Sequence, residues 1–302
     1  IEVFDKHPSM LIKRNHISVF KVNWENKPKN IKEISKELNI GLNTLVFIDD
    51  NQFEIDFVKK EIPEVEVLHL SSNNSSFNLW RLRALSSLSQ HFITEEDLER
   101  TDLYKNEKKR NNDFDKASDI DSFYKSLKMC INIKQNDVQN FERIAQLTLR
   151  TNQFNLTTKR YTKSEIKNFL ISKEYSVFTL SLKDKYGSLG IVGCCILKKK
   201  DEIITIDSFL LSCRVLGRDV EKCFLMTVLN LVKENNKSYK IVIGEYIKSK
   251  KNHQVENFYL NIGFSEKLNS DIKFVKKSKL FSLEFKNISK YKNKNFTKIE
   301  IS

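Results

Sequence analysis

Between Asp201 and Phe209 the chain reads D-E-I-I-T-I-D-S-F, an apolar run rich in β-branched residues that predicts a buried strand. Val220–Val232 follows with apolar residues at 220, 224, 225, 228, 229 and 232, one stripe of an amphipathic helix. The first part of the chain alternates in the same way. Asn30–Leu38 carries Ile31, Ile34 and Leu38 at helical spacing, with Pro28 inside the first turn. Leu45–Ile48 reads as a short buried strand, Phe53–Glu61 as a helix and Val65–Leu68 as the next strand. Helix and strand in alternation predict a parallel sheet with crossover helices. Leu79–Phe92 and Glu95–Lys109 read as helices, the second heavily charged, and Asn111–Asp119 is a polar break that marks a domain boundary. Beyond it Ser122–Cys130 and Ile131–Ile133 open a second domain, and Val138–Thr148 is helical. Ser176–Lys183 and Leu189–Lys199 are expected as antiparallel strands around Asp184–Gly187, and Tyr239–Tyr246 as a parallel strand beyond the helix. Asn252–Phe264 reads as an amphipathic helix ended by Gly263 and followed by a strand. The pattern is α/β, with a parallel part followed by a mixed-sheet part.

Composition narrows this picture. A chain of 302 residues, 40% hydrophobic and 30% charged, suits a soluble protein of about two domains. No apolar run approaches the ~20 residues that span a bilayer, and no export signal is visible, which predicts a cytoplasmic protein without membrane association. The first residue is Ile1 rather than methionine, so a preceding segment is expected. The five cysteines show no C-x-x-C pair or zinc spacing, which implies reduced thiols; Cys194 and Cys195, in an apolar strand, are expected as core filler. The net charge of +13 invites a nucleic-acid reading, but lysine supplies most of it and no recognition motif accompanies it. Much of the excess is assigned to Lys105–Arg110 and to the tail after Lys267. An acidic protein partner suits that charge better.

Three places carry candidate chemistry. Arg214-Val-Leu-Gly217-Arg218-Asp219 joins a strand to a helix, and free N–H groups with two guanidinium groups make that turn an expected anion site. Cys213 ends the strand, where such surroundings would stabilise a nucleophilic thiolate. Asp49 and Asp50 end a strand and would suit a hard cation such as Mg²⁺, although Asp50 or Asn51 could instead cap the following helix. The loop Thr151-Asn-Gln-Phe-Asn-Leu-Thr-Thr158 offers amides and hydroxyls, from Asn152, Gln153 and Asn155 above all, either to a polyhydroxylated acyl group or to its own backbone.

The turn at Arg214, with Asn252, Phe258, Tyr259, Gly263 and Phe264 in register, resembles the GNAT acyltransferases. V-N-W-E-N-K-P followed by L-V-F-I-D-D-N resembles the haloacid dehalogenase (HAD) phosphatases. Together with T-N-Q-F-N-L-T-T they resemble the FkbH-like proteins, in which a HAD half is fused to a GNAT-like half. The resemblance implies residues 1–92 as the later part of a HAD-like domain, a helical linker at 93–120, a GNAT-like domain at 121–267, and a basic tail at 268–302 without a usable motif. It implies that Lys27 neutralises a phosphoryl group and that Asp49 and Asp50 hold Mg²⁺. No D-x-D-x-T strand precedes Lys27; Asp119 and Asp121 open a helix, so the HAD half is incomplete and no phosphatase is expected. For the second half it implies glyceryl-type transfer from a phosphorylated three-carbon donor through an enzyme cysteine to the phosphopantetheine thiol of an acyl carrier protein. Cys213 is then the covalent residue. Arg214, Gly217 and Arg218 bind phosphate of the arm, Tyr259 moves a proton near the thiol, and Asn152, Gln153, Asn155 and Asn252 hold substrate. Asp219, where the family has a small residue, would repel a pyrophosphate and argues against coenzyme A. The competing expectations are a plain acyltransferase of surface-glycan assembly and a non-catalytic fragment that docks a carrier.

Overall fold

The computed structural model describes residues 2–38, 40–71, 73–88, 100–267 and 278–302. The chain forms two compact units, divided after Asn112. In the first, α1 (Glu2–Lys6) and α2 (Lys27–Leu38) precede β1 (Val46–Asp49), α3 (Gln52–Glu61), β2 (Glu66–His69) and α4 (Ser75–Ala84). β1 and β2 are parallel, paired from Val46 with Glu66 to Asp49 with His69, and α3 is the crossover between them. Ile31, Val58, Ile62 and Val65 form the buried cluster between helices and strands. The helix starts follow from local polar side chains. Asn26 accepts from the Lys29 N–H at 2.8 Å, and Asn51 accepts from the Phe53 N–H at 3.0 Å. Asn74 caps α4, which starts at Ser75, four residues before the helix expected from Leu79. The rest of the helix expected to reach Phe92, residues 89–92, lies outside the described residues, as do residues 95–99 of the next.

α5 (Arg100–Asp115) runs through the first half of the stretch read as a polar break. A segment rich in Asn and Lys stays helical because those residues are tolerated on an exposed face. α6 (Ile120–Ser126) starts at Asp119, whose carboxylate accepts from the Ser122 N–H at 2.8 Å, so Asp119 is a capping residue.

The second unit is built on one mixed sheet. Its strands are β3 (Met129–Gln135), β4 (Phe154–Asn155), β5 (Tyr175–Asp184), β6 (Gly187–Lys200), β7 (Ile203–Leu211), β8 (Ile241–Ile247), β9 (Ser265–Lys267), β10 (Ser278–Glu284) and β11 (Phe296–Ile301). The order across the sheet is β11-β3-β5-β6-β7-β8-β10-β9, with β4 added against β7. β5, β6 and β7 are antiparallel neighbours, and β8 lies parallel to β7, as the apolar pattern predicts. α7 (Phe141–Arg150) and α8 (Lys163–Ile171) cover one face, packing Ile144, Leu147, Ile166 and Leu170 on Val177, Cys194, Ile196 and Leu210. α8 escaped the sequence reading, although Thr162 and Glu165 form a capping box that announces it. α9 (Val220–Asn235) joins β7 to β8, and its Phe224 packs on Phe209 of β7, ring centroids 5.5 Å apart.

Two expectations are corrected here. The helix expected over 252–264 is a 3₁₀ turn at His253–Val255, opened by the buried Asn252, and a separate short helix α10 (Phe258–Asn261), broken at Glu256 and Asn257. Gly263 does close it in a left-handed conformation, φ 96°, with the Phe264 N–H donating to the Tyr259 carbonyl. The stretch read as a tail without a motif supplies two strands of the sheet. β10 pairs with the whole of β8, and β11 pairs in parallel with β3. The alternation of Phe281, Leu283 and Phe285, all buried, with Ser282 and Glu284 is the signal that reveals β10.

Gly244 on β8 lies directly under the Tyr259 ring; a Cβ there would sit 2.5 Å from Tyr259 Cζ. Gly244→Ala is therefore expected to lower the stability of the second unit by about 1–3 kcal/mol through overpacking. Urea denaturation followed by fluorescence checks this, and an unchanged midpoint would show that the ring gives way freely.

Candidate active site

β7 and β8 stay paired only from Ile203 with Ile241 to Ile206 with Gly244. Beyond that point they part towards their carboxyl ends, the place where ligands enter sheets with parallel strands. Residues 154–157 lie in the cleft. Phe154 and Asn155 pair antiparallel with Leu211 and Leu210 of β7. The Leu156 N–H donates to the Phe209 carbonyl at 3.2 Å, and its carbonyl accepts from the Ile247 N–H of β8 at 2.8 Å. The Thr157 hydroxyl donates to the Asp207 carbonyl at 3.0 Å. Phe154, Asn155, Leu156 and Thr157 are all buried. The Phe154 ring stands edge-on to Phe209 and Phe258, with centroids 5.8 and 5.1 Å away. Burying the Phe154 and Leu156 side chains contributes about 1.5–3 kcal/mol each.

Asn252 fixes that arrangement. Its amide nitrogen donates to the Asn155 and Ile247 carbonyls, both at 2.9 Å. Its side-chain oxygen accepts from the Ser249 N–H at 2.8 Å and from the Tyr246 hydroxyl at 3.2 Å. The side chain expected to hold substrate is fully buried and tied to the chain itself. Asn155 is engaged likewise: its side chain accepts from the Thr158 N–H at 2.9 Å. Asn152, half-buried, accepts from Arg160 at 2.5 Å, and Gln153 is exposed. Arg160 also donates to the Thr148 and Thr151 carbonyls, closing the loop onto the end of α7. Of the loop's two sequence readings, self-satisfaction describes Asn155 and Asn152.

The turn from β7 to α9 starts with Cys213–Val215, a 3₁₀ turn in which the Ser212 hydroxyl accepts from Arg214. Gly217 is left-handed, φ 77°, and its N–H donates to the Glu221 carboxylate at 2.6 Å. Its carbonyl accepts from the Tyr124 hydroxyl at 2.6 Å. Asp219 precedes α9 at φ 63° and makes no side-chain cap; its carboxylate accepts from the Tyr291 hydroxyl at 2.6 Å. Arg218 is buried, 4.0 Å from the Asp184 carboxylate. Burial pushes the Glu221 carboxyl above the usual range, with Asp219 adding to the effect and the bonds from its own N–H and that of Gly217 opposing it. The anion site expected here is thus lined by two carboxylates, and Gly217 donates to one of them.

The thiols divide sharply. Cys194, Cys195 and Cys223 are buried, and burial pushes the Cys194 and Cys223 thiols up to about 12. Cys130 and Cys213 are half-buried. Cys213 stands at the mouth of the cleft, at the end of β7. Tyr259 is fully buried, and its hydroxyl has no partner among the described residues; burial raises its pKa well above the ordinary value. Sequence reasoning also missed Asp207. Its carboxylate takes Lys159 at 2.6 Å and the Tyr161 hydroxyl, binding the end of the loop to β7.

In the first unit the Asp49 carboxylate accepts from the Asn51 N–H at 2.9 Å, the Asp50 carbonyl faces His69 Nε2 at 3.0 Å, and Lys27 is the exposed first residue of α2. Among the described residues no three His, Cys, Asp or Glu side chains converge as a metal set. Two carboxylates, one of them engaged, fall short of the six oxygen ligands of Mg²⁺. A groove of 420 Å³ between α2 and α3, lined by Lys29, Lys32, Lys36, Phe57 and Glu61 among others, includes neither aspartate. No described helix is long and apolar enough to cross a membrane.

Two outcomes are expected. A maleimide applied to native protein should modify Cys213 and Cys130 and leave Cys194, Cys195 and Cys223 untouched until denaturant is added, read by peptide mass mapping. Tyr259→Phe should leave stability equal or higher by about 1 kcal/mol, since it deletes an unpartnered buried hydroxyl, measured by thermal denaturation. A clear loss would show that the hydroxyl has a partner.

No family model matches this sequence, and no curated protein matches it. Solved structures do. The ribosomal-protein-S18-alanine N-acetyltransferase from Escherichia coli is 9% identical, over 55% of this chain and 98% of that one, with a TM-score of 0.40. An N-acetyltransferase from Staphylococcus aureus Mu50 is 16% identical, over 52% and 99%, with a TM-score of 0.38. The N-terminal part of the protein BF1531 from Bacteroides fragilis, which contains a phosphatase domain complexed with Mg, is 41% identical over 27% of this chain and 22% of that one, with a TM-score of 0.25. TM-scores of this size leave the family open.

Proposed function

We propose that this chain is an acyltransferase of the FkbH-like kind, whose second unit holds a small acyl group as a thioester on Cys213 and passes it to the phosphopantetheine thiol of an acyl carrier protein. The observation that carries this reading is the placing of the thiols. Cys213 is half-buried, follows the carboxyl end of β7 beyond the point where β7 and β8 part, and is followed by Arg214, whereas Cys194, Cys195 and Cys223 are buried. In the first step the Cys213 thiolate attacks the carbonyl of an acyl phosphate, the C–S bond forms and inorganic phosphate leaves. In the second the carrier thiolate attacks the thioester carbonyl, and the Cys213 sulfur leaves as thiolate. Neither step needs a metal. Lys27, Asp49 and Asp50 remain the residues that would bind phosphoryl groups and Mg²⁺ if the first unit were completed by further ligands.

Charge supports the partner. Residues 1–112 hold 18 acids and 17 bases, which offset the basic run Lys105–Arg110, so the net +13 comes from residues 113–302, with 35 bases and 21 acids. A basic surface on the unit that bears Cys213 speeds encounter with an acidic carrier in a salt-dependent way.

Incubation with acetyl phosphate, a minimal acyl phosphate, is expected to add one acetyl group that hydroxylamine removes, seen by intact-mass spectrometry. Cys213→Ala should abolish the adduct and Cys130→Ala should keep it. A labile adduct that survives Cys213→Ala would move the chemistry to another residue.

A further inference from the structure

Two parallel strands that part leave main-chain donors and acceptors facing the gap, and an extended ligand carrying amides can pair with them as an added strand does. In this protein the groups that face the gap are paired by the chain itself. Leu156 bridges the two edges through its own N–H and carbonyl, to Phe209 on one side and Ile247 on the other. Phe154 fills the space beside Phe209 and Phe258. Asn252 closes the set by donating to both Asn155 and Ile247. At the other end of the path, Gly217 donates to Glu221, and Asp219 adds a second carboxylate where a diphosphate would have to lie. A site for a nucleotide-bearing arm needs an open cleft, and here residues 154–156 fill it; at the α9 turn the Gly217 N–H is already taken by Glu221.

We propose that residues 154–156 are a resident strand that sets thiol specificity: they close the β7–β8 cleft to the extended arm of coenzyme A and leave the mouth at Cys213 as the place where a carrier-borne thiol is met. The second half of this statement rests on the acyl-transfer reading above; the closure does not. An arm that had to displace two buried apolar side chains, two cross-strand bonds and the Asn252 bonds would lose affinity by roughly 10³-fold or more. Carrier specificity then comes from access as well as charge. A thiol delivered on a protein surface needs only to reach the end of β7, whereas coenzyme A gains its affinity along the whole arm. Thr158 sharpens the point. It is β-branched and left-handed, φ 55°, directly after the inserted residues, a conformation kept only where the surroundings impose it.

The test is native-state hydrogen exchange on the full chain, read at the Leu156 and Ile247 amides with and without acetyl coenzyme A. Both amides are expected to exchange as slowly as those in the middle of β7, and about 5 mM acetyl coenzyme A, enough to fill a millimolar site, should change neither by more than ~2-fold. Asn252→Ala should speed both by ~10-fold or more. Thr157→Val, which removes only the bond to the Asp207 carbonyl, should speed Leu156 more modestly and serves if Asn252→Ala does not fold. Three results would overturn the proposal: fast exchange of these amides in the unmodified protein, a change of ~5-fold or more on adding acetyl coenzyme A, or no response to either substitution. Failure of Cys213 acylation with slow, ligand-insensitive amides would sink the thioester reading and leave the resident strand in place.

Discussion

Leu156 joins β7 and β8 beyond the point where their own pairing ends. One residue, through one N–H and one carbonyl, ties the diverging ends of β7 and β8, and the candidate site is arranged around that tie. It fixes the depth of Phe154 against the aromatic cluster, the position of Asn155 under Asn252, and the direction in which the loop leaves towards Lys159 and Tyr161. Backbone groups buried without partners are costly, so a cleft of this kind is stable only when something pairs its edges. In this protein the chain supplies the partner, and the accessible chemistry retreats to the rim where Cys213 stands.

The same economy of polar groups runs through the α9 turn. Gly217 donates to Glu221 and accepts from Tyr124, and Asp219 accepts from Tyr291 near the end of the chain. The Gly217 N–H and carbonyl and the Asp219 carboxylate, which border the expected phosphate site, thus have intramolecular partners. The buried Tyr259 hydroxyl, by contrast, has no partner among the described residues. It sits over Gly244, which has no side chain to hinder it, and its ring packs with Phe264 and Phe281. Packing of the ring accounts for its presence without recourse to the hydroxyl.

Much of the framework was legible in the sequence because it follows from local rules. The β-branched run before Cys213, the apolar stripe of α9 and the capping side chains of Asn51 and Asp119 each require only their neighbours to be understood. The site was less legible. Thr151–Thr158 reads as a polar loop, since only Phe154 and Leu156 interrupt it and a two-residue strand has no periodicity. Its burial is decided by β7 and β8 parting more than 40 residues later, which no local window contains. Asn252 was expected to hold substrate and instead bonds the chain itself, because the sequence cannot say whether an amide faces a ligand or another strand. The end of the chain failed for a different reason: abundant lysine masked the alternation of Phe281, Leu283 and Phe285.

The place of β11 has a consequence for how the protein is made. Ser302, directly after it, is bonded both ways to the opening strand of the second unit: its N–H donates to the Ile133 carbonyl, and its carbonyl accepts from the Gln135 N–H, both at 2.9 Å. During synthesis β3 leaves the ribosome early, while its outer neighbour follows some 170 residues behind. At about 5–20 residues per second, that edge waits roughly 8 to 34 seconds without this neighbour. An unpaired edge is a template for the wrong partner. Nascent chains of this protein on crowded polysomes therefore face their greatest risk of misassembly in that interval, and any chaperone that serves them has β3 to shield.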